Sequence, residues 1–286
     1  MVKIKIISDT AHNLPEEVSR DIPMIEIPFE VIVGEDCFKD NNLTLAELAE
    51  LLERRKGQYP TTSAPSQGDF SEAYKAAKSS DGILVVTIGA GYSATYNNAV
   101  QATRLFRESV NSDTPIEVVD SRGGTMSQGF LLMEAHSLIS EGGKLDEVAT
   151  SLRIQAERNN LVFALRETTY LYRSGRAKGV QHLLSSILRI KPVLATSDGT
   201  LKLLDRVRGD IRKALKRVAE EVRARSGGKI DKLAIIGGLG TEESEEFLEH
   251  EIYRILPRLP KQVIHAKMCP TIMVHVGPHG VGAAWV

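Results

Sequence analysis

Short apolar runs alternate with amphipathic stretches along the first half of the chain. Residues 2–7 and 24–33 read as strands, and Pro28 interrupts the second, which places it at an edge or a bulge. Thr44-Leu45-Ala46-Glu47 is a capping box that opens a helix to about Arg55, and Ser66-Gln67-Gly68-Asp69 resembles a second helix start. Ile83-Leu84-Val85-Val86-Thr87-Ile88 is an unbroken apolar run that ends in the turn Gly89-Ala90-Gly91-Tyr92, followed by Ser93-Ala94-Thr95 and an amphipathic segment. That order predicts a buried parallel strand feeding a helix. A strand at 116–119 and helices at about 127–141 and 145–158 follow. Repeated strand–helix units imply a parallel sheet covered by helices.

The second half has another texture. Residues 161–165 read as a strand and 168–173 as a short helix, while strands at 192–196 and 200–204 flank the hairpin signal Ser197-Asp198-Gly199. A long amphipathic helix at 211–225, a strand at 233–236 and a helix at 243–256 come next, and strands at 263–266, 272–276 and 282–286 close the pattern. The expected architecture is α/β with two domains: an N-terminal parallel-sheet domain over 1–160 and a C-terminal α+β domain with a mixed sheet over 161–286. Neither a repeat nor a low-complexity linker separates them, so they are expected to pack closely.

Composition narrows the function classes. A chain of 286 residues, 42% hydrophobic, can bury two cores, and a formal charge of −1 with interspersed signs argues against a dedicated nucleic-acid binder. Cys37 and Cys269 are far apart, with no Cys-x-x-Cys and no His/Cys cluster, so neither a disulfide framework nor a metal site is expected. A reducing, cytoplasmic setting fits. The opening strand leaves no room for a signal peptide, and no apolar run approaches the ~20 residues of an integral membrane segment.

Four segments carry candidate chemistry, each beside a plainer reading. At Ser93, hydroxyls and first-turn amides gather at a helix N-terminus and form an anion site, or else Ser93 simply caps the helix. Gly89-x-Gly91-x-x-Ala94 with Asp120 matches a dinucleotide fingerprint only loosely, because the spacing is long and the usual fingerprint lies on a first strand. Pro60-Thr61-Thr62-Ser63-Ala64-Pro65-Ser66 holds four hydroxyls in an extended segment, suited to a pocket or to a polar loop. His275-Val276-Gly277-Pro278-His279-Gly280 follows an apolar strand, where an imidazole can donate to a carboxylate or serve the structure; His265 and His279 are weaker candidates. Arg173-Ser174-Gly175-Arg176, with Arg166, Arg206 and Arg208, suits phosphate or carboxylate recognition as well as solvated ion pairs.

In order and at these separations, the segments resemble the DegV family of bacterial fatty-acid-binding proteins, which includes the acyl-binding subunit of fatty acid kinase. Ser8-Asp9-Thr10, Thr62-Ser63-Ala64-Pro65, Ser93-Ala94-Thr95-Tyr96 and Asp120-Ser121 carry the likeness in the first half. Ser174-Gly175-Arg176, Ile190-Lys191-Pro192, Asp198-Gly199 and His275-Val276-Gly277-Pro278 carry it in the second. The resemblance implies a long-chain fatty acid in a tunnel between the domains, its carboxylate at Thr62, Ser63, Ser93, Ala94 and His275, with Thr62, Ser93 and His275 as donors. It implies no cofactor and no catalytic residue. Three positions depart from the family pattern: Ala64 stands for Gln, Ala94 for Gly and His279 for Gly.

The resulting expectation is a monomeric, cytoplasmic carrier that presents an acyl carboxylate to a separate ATP-dependent fatty acid kinase for acyl phosphate formation, with Arg173 and Arg176 docking that partner. The chain has no Walker loop of its own. The alternative is a serine hydrolase acting on an acyl ester through Ser93 and His275, with Asp9 or Asp120 as orienting acid. Gly91-x-Ser93-x-Thr95 lacks the final glycine of a nucleophile elbow.

Overall fold

The structure, a computed structural model, describes residues 3–55, 57–110, 113–176 and 190–286. In chain order the strands are β1 (Ile4–Asp9), β2 (Met24–Ile27), β3 (Glu30–Val33), β4 (Asp36–Lys39), β5 (Thr61–Ser63), β6 (Gly82–Thr87) and β7 (Ile116–Asp120). They continue as β8 (Asn160–Ala164), β9 (Ile190–Ser197), β10 (Thr200–Arg208), β11 (Lys232–Gly237), β12 (Gln262–Lys267) and β13 (Val281–Trp285). Val2, expected to open the first strand, lies outside the described residues.

The chain divides into two compact units. The first takes residues up to Glu30 together with Ser63–Asn159, and the second takes Val31–Thr62 with Asn160–Val286. A single cut at Asn160 therefore misplaces residues 31–62. Their apolar positions Val31, Val33 and Leu48 pack with Met268, Met273 and Val274, partners more than 200 positions away that local patterning does not reveal.

In the first unit the sheet order is β2-β1-β6-β7, parallel throughout. The expected run 24–33 breaks at Pro28-Phe29 into two strands that serve different sheets: Met24–Ile27 pairs with β1, and Glu30–Val33 joins the sheet β4-β3-β5. Every residue of β6 is buried, as a strand covered on both faces requires. Ile83 and Val85 meet Phe70, Tyr74 and Phe106 from helices Gln67–Ala77 and Thr95–Val110. Helices Met126–Ser140 and Leu145–Glu157 also contact β6. Ser66 forms the expected capping box, accepting from the Asp69 N–H while the Asp69 carboxylate accepts from its own.

The second unit is built on a six-stranded mixed sheet, β10-β9-β8-β13-β11-β12, in which only β11 and β12 pair in parallel. Val162, Val193, Leu233 and Trp285 form one core with Leu215, Val218, Leu248 and Ile252 of helices Ile211–Ser226 and Glu242–Ile255. Asp198 and Gly199, both at positive φ (51° and 71°), make the tight turn between β9 and β10 that the sequence signals. Residues 272–276 are not a strand. They belong to helix Pro270–Val276, with Pro270 in its first turn and Cys269 extended before it. Pro270, Met273 and Val274 are buried, a helical period that the apolar run conceals when read as alternating.

Candidate functional site

The parallel sheet of the first unit reverses direction between β1 and β6: the chain moves outward one way from β1 to β2 and the other way from β6 to β7. Open α/β sheets bind ligands outside the carboxyl ends of the strands at such a switch point. Those ends deliver Asp9 and the loop 88–94. The loop is tightly braced, because the Gly89 N–H donates to Gly123 O at 2.6 Å and a Cβ at Gly89 would come within 2.9 Å of Gly123 N. Asp120, the candidate ribose acid, braces the same loop instead, its Oδ1 accepting from Ala90 N (3.1 Å) and Arg122 N (2.8 Å).

Beyond this brace, Ser93 is half-buried and Ala94 exposed just before helix Thr95–Val110. Ser93 Oγ accepts from the Thr95 N–H at 3.3 Å and shares a 2.7 Å hydrogen bond with Thr95 Oγ1. Ser93 thus does the capping work of its plainer reading. The hydroxyl pair also sits at the positive end of a sixteen-residue helix, where a negative charge is favoured.

Asp9 is a different kind of residue. It is fully buried, and both its oxygens are met: Oδ2 accepts from Ile88 N at 2.7 Å, and Oδ1 accepts from Ala11 N at 3.0 Å and Gln128 Nε2 at 3.1 Å. Burial pushes its carboxyl above the usual range in spite of these donors. Ser8, equally buried, donates to Val86 O at 2.8 Å and accepts from the same Gln128 amide at 3.1 Å. Ser8-Asp9 therefore ties β1 to the end of β6 and to helix Met126–Ser140. The sequence offers no pointer to Gln128, whose role arises only from the packing of that helix.

The second unit brings two of the expected site residues together across 213 positions. Thr62 of β5 and His275 of helix Pro270–Val276 share a hydrogen bond, Oγ1 to Nε2, at 2.9 Å. Nδ1 of His275 is buried without a hydrogen-bond partner among the described residues, so no carboxylate orients the ring. Burial first, and then the positive charge of Arg176, push His275 down to about 3, which keeps it neutral at physiological pH. Ser63 follows Thr62, half-buried, where the chain passes into the first unit.

Among the described residues, neutral imidazole and hydroxyl leave one donor unused whichever tautomer holds. If Thr62 donates to Nε2, the proton on Nδ1 has no acceptor; if Nε2–H donates to Thr62, the hydroxyl proton is left over. The fixed charge of Arg176 favours an anion for that donor. Arg176 itself lies at the end of helix Thr169–Ser174, its Nη1 donating to Ser174 O at 2.8 Å. Arg173, in the last turn, lies with Cζ 3.6 Å above the ring of Tyr59, a residue that sequence reasoning passes over although it precedes the Pro60 hydroxyl segment. A cavity of about 360 Å³ in this unit is lined by Leu52, Pro60, Tyr170, Leu239 and Met273, with His279 on its wall. His279 Nδ1 is 2.9 Å from Leu239 O.

Among the described residues no group of three or more His, Cys, Asp or Glu side chains is arranged to hold a metal ion, and no helix is long and apolar enough to cross a membrane. Residues 3–286 match a family model described as "Uncharacterised protein, DegV family". A DegV domain-containing protein of Caldanaerobacter subterraneus subsp. tengcongensis is 29% identical over 99% of this chain and 98% of its own length. Among solved structures, a hypothetical protein of Thermotoga maritima described as revealing fatty acid binding function is similar with a TM-score of 0.82 at 27% identity, covering 100% of this chain and 99% of that one. A DegV family protein of Ruminococcus gnavus, refined with vaccenic acid, shares the fold with a TM-score of 0.89 at 22% identity, covering 98% of this chain and 99% of that one.

Proposed function

Because the chain belongs to the DegV family, we propose that it binds one long-chain fatty acid and presents the carboxylate to a separate ATP-dependent kinase, which forms an acyl phosphate. The Thr62–His275 pair carries this reading: a neutral, partly buried pair with one donor unused, beside a fixed positive charge, suits a single carboxylate. Ser93 and Ala94 at their helix N-terminus, with Ser63, are the remaining members of the proposed head-group set. The fatty acid binding described for the Thermotoga maritima protein supports the ligand class. Each buried CH₂ is worth roughly 0.8 kcal/mol, so a sixteen- to eighteen-carbon chain outweighs desolvation of the head group.

In this reading the chain is a cytoplasmic, monomeric carrier without cofactor or catalytic residue, and Arg173 and Arg176 face the kinase. A hydrolase through Ser93 and His275 is disfavoured, since no carboxylate among the described residues meets His275 Nδ1, Asp9 gives both its oxygens to N–H donors and Asp120 gives Oδ1 to two backbone N–H groups. Titration of delipidated protein with labelled palmitate and oleate tests the proposal, with saturation expected at one acid per chain. Absence of binding would overturn it, and turnover of a chromogenic ester above buffer would favour the hydrolase.

A further inference from the structure

Arg173 is exposed, and no hydrogen-bond or ion-pair partner holds its guanidinium among the described residues; what holds it is the face of Tyr59. With Cζ only 3.6 Å above the centroid, the guanidinium plane lies along the ring, because an edge-on approach would drive its N–H groups into the ring carbons. Stacking uses the face of the cation and leaves its fork of N–H donors directed outward in the plane, the geometry that takes a carboxylate through two parallel hydrogen bonds.

Tyr59 is itself braced. Its ring meets Tyr170 edge to face, centroids 6.5 Å apart and planes at 68°. Tyr170 in turn lies against Gly277, at φ 83°, where a Cβ would come within 2.9 Å of the tyrosine ring. Gly277 ends the helix that carries His275. One run of contacts within the second unit therefore sets the position of Arg173 from the same helix end that sets the candidate head-group histidine.

We propose that Tyr59 is a positioning residue for partner recognition: it holds Arg173 against its ring face, so that the guanidinium meets an acidic side chain of the kinase without first losing its own rotamer freedom. A free arginine gives up much of that freedom on binding, and a preorganised one has less to lose. The inference rests on the reading of the chain as a carrier that delivers its acid to a kinase.

The test is steady-state acyl phosphate formation by a purified ATP-dependent fatty acid kinase with magnesium ATP, varying the concentration of palmitate-loaded carrier. Tyr59→Leu, which removes the ring face, should raise KM for the loaded carrier roughly fivefold with kcat unchanged, the size expected of one exposed cation–π contact. Tyr59→Phe, which keeps the face, should restore the wild-type KM, and palmitate affinity should be unaltered in both. Circular dichroism melting checks that the variants fold. A wild-type KM for Tyr59→Leu while Arg173→Glu raises KM would overturn the role of Tyr59 and leave the delivery reading standing. A Tyr59→Phe variant as impaired as Tyr59→Leu, or a parallel loss of palmitate affinity, would overturn it as well. If Arg173→Glu too leaves transfer unchanged, docking through this arginine fails, and the positioning role fails with it.

Discussion

Two polar clusters, one in each unit, both arise from segments that carry the family likeness, yet they are built to opposite ends. Around Asp9 the protein supplies the partners of both carboxylate oxygens, from two backbone N–H groups and the Gln128 amide, in a place fully closed to water. Around Thr62 and His275 the described residues supply one hydrogen bond, leaving a donor unused beside Arg176. Buried polar groups are costly when unpaired, so the first arrangement secures a fold, and the second is where we propose that an external carboxylate is bound. Hydroxyls, acids and imidazoles in a shared motif do not identify a site on their own. What separates the two clusters is whether the fold has already met the titratable group: both Asp9 oxygens have donors, although Gln128 Oε1 beside them has no hydrogen-bond partner among the described residues, whereas His275 Nδ1 has none.

The largest effect should come from emptying the satisfied cluster. Asp9→Ala strands the Ile88 and Ala11 N–H groups in a dry interior and costs about 3–5 kcal/mol, at roughly 1–3 kcal/mol for each unmet donor with a further loss at Gln128. A collapse of the urea midpoint would be the signature. An Asp9→Ala variant with wild-type stability and weakened palmitate binding would reverse the comparison and move Asp9 into the site.

The open cluster should behave in the contrary way. Thr62→Val keeps the shape of the side chain and removes its hydroxyl, so the urea midpoint should shift little while palmitate affinity falls about 10- to 100-fold, the worth of one hydrogen bond to a charged group. Isothermal titration of delipidated variants measures it. Unchanged affinity would remove Thr62 from the head-group set.

How much of this contrast is legible in the sequence depends on the range of the forces involved. The β6 run, the capping boxes at Thr44 and Ser66 and the Asp198-Gly199 turn are local, and each appears where the pattern places it. The helix carrying His275 reads as a strand from sequence, because the run Thr271-Ile272-Met273-Val274 suits either element and only the burial of Pro270, Met273 and Val274 decides. The second unit's claim on residues 31–62 rests on contacts with residues 268–274, and no local signal announces a contact of that span. Spacing cannot pair Thr62 with His275; the family resemblance sets them in one group, and the fold gives them their hydrogen bond. Tyr59 and Gln128 escape both routes, since each matters only through long-range contacts.

Protonation separates the clusters by sign. The folded state holds Asp9 above its ordinary value, so its contribution to stability is full at low pH and is lost as the pH rises through the raised pKa. His275 is held down at about 3, so its contribution is full above the ordinary histidine value near 6.5 and is lost as the pH falls from there toward 3. Between pH 7 and pH 4 wild type should therefore lose roughly 1–2 kcal/mol more stability than His275→Gln, a figure reduced for solvent reach to the half-buried ring. Urea unfolding of both proteins across that window isolates the imidazole, because all other groups are shared. Parallel curves would mean that His275 titrates in the folded protein as it does in the unfolded one.

Ser93 stands between the two kinds and should give the smallest change. Its oxygen accepts from the Thr95 N–H and it shares a hydrogen bond with Thr95 Oγ1 in which either hydroxyl can donate, so an incoming carboxylate accepts from the Ser93 O–H directly if Thr95 donates and displaces that bond if Ser93 does. When Ser93 is the donor to Thr95, the gain on binding is a difference between two hydrogen bonds, whereas the Thr62–His275 pair has a donor with nothing to give up among the described residues. Ser93→Ala should accordingly cost about 1 kcal/mol in palmitate affinity, near fivefold, together with a comparable loss of stability from the missing cap. The informative quantity is the ratio of the two losses, obtained by titration and urea unfolding on the same variant: near one for Ser93→Ala, strongly weighted to binding for Thr62→Val, and strongly weighted to stability for Asp9→Ala. If Ser93→Ala instead abolishes binding and leaves the midpoint untouched, the helix N-terminus is the principal head-group site, and the hydroxyl contact to Thr95 forms only when no acid is bound.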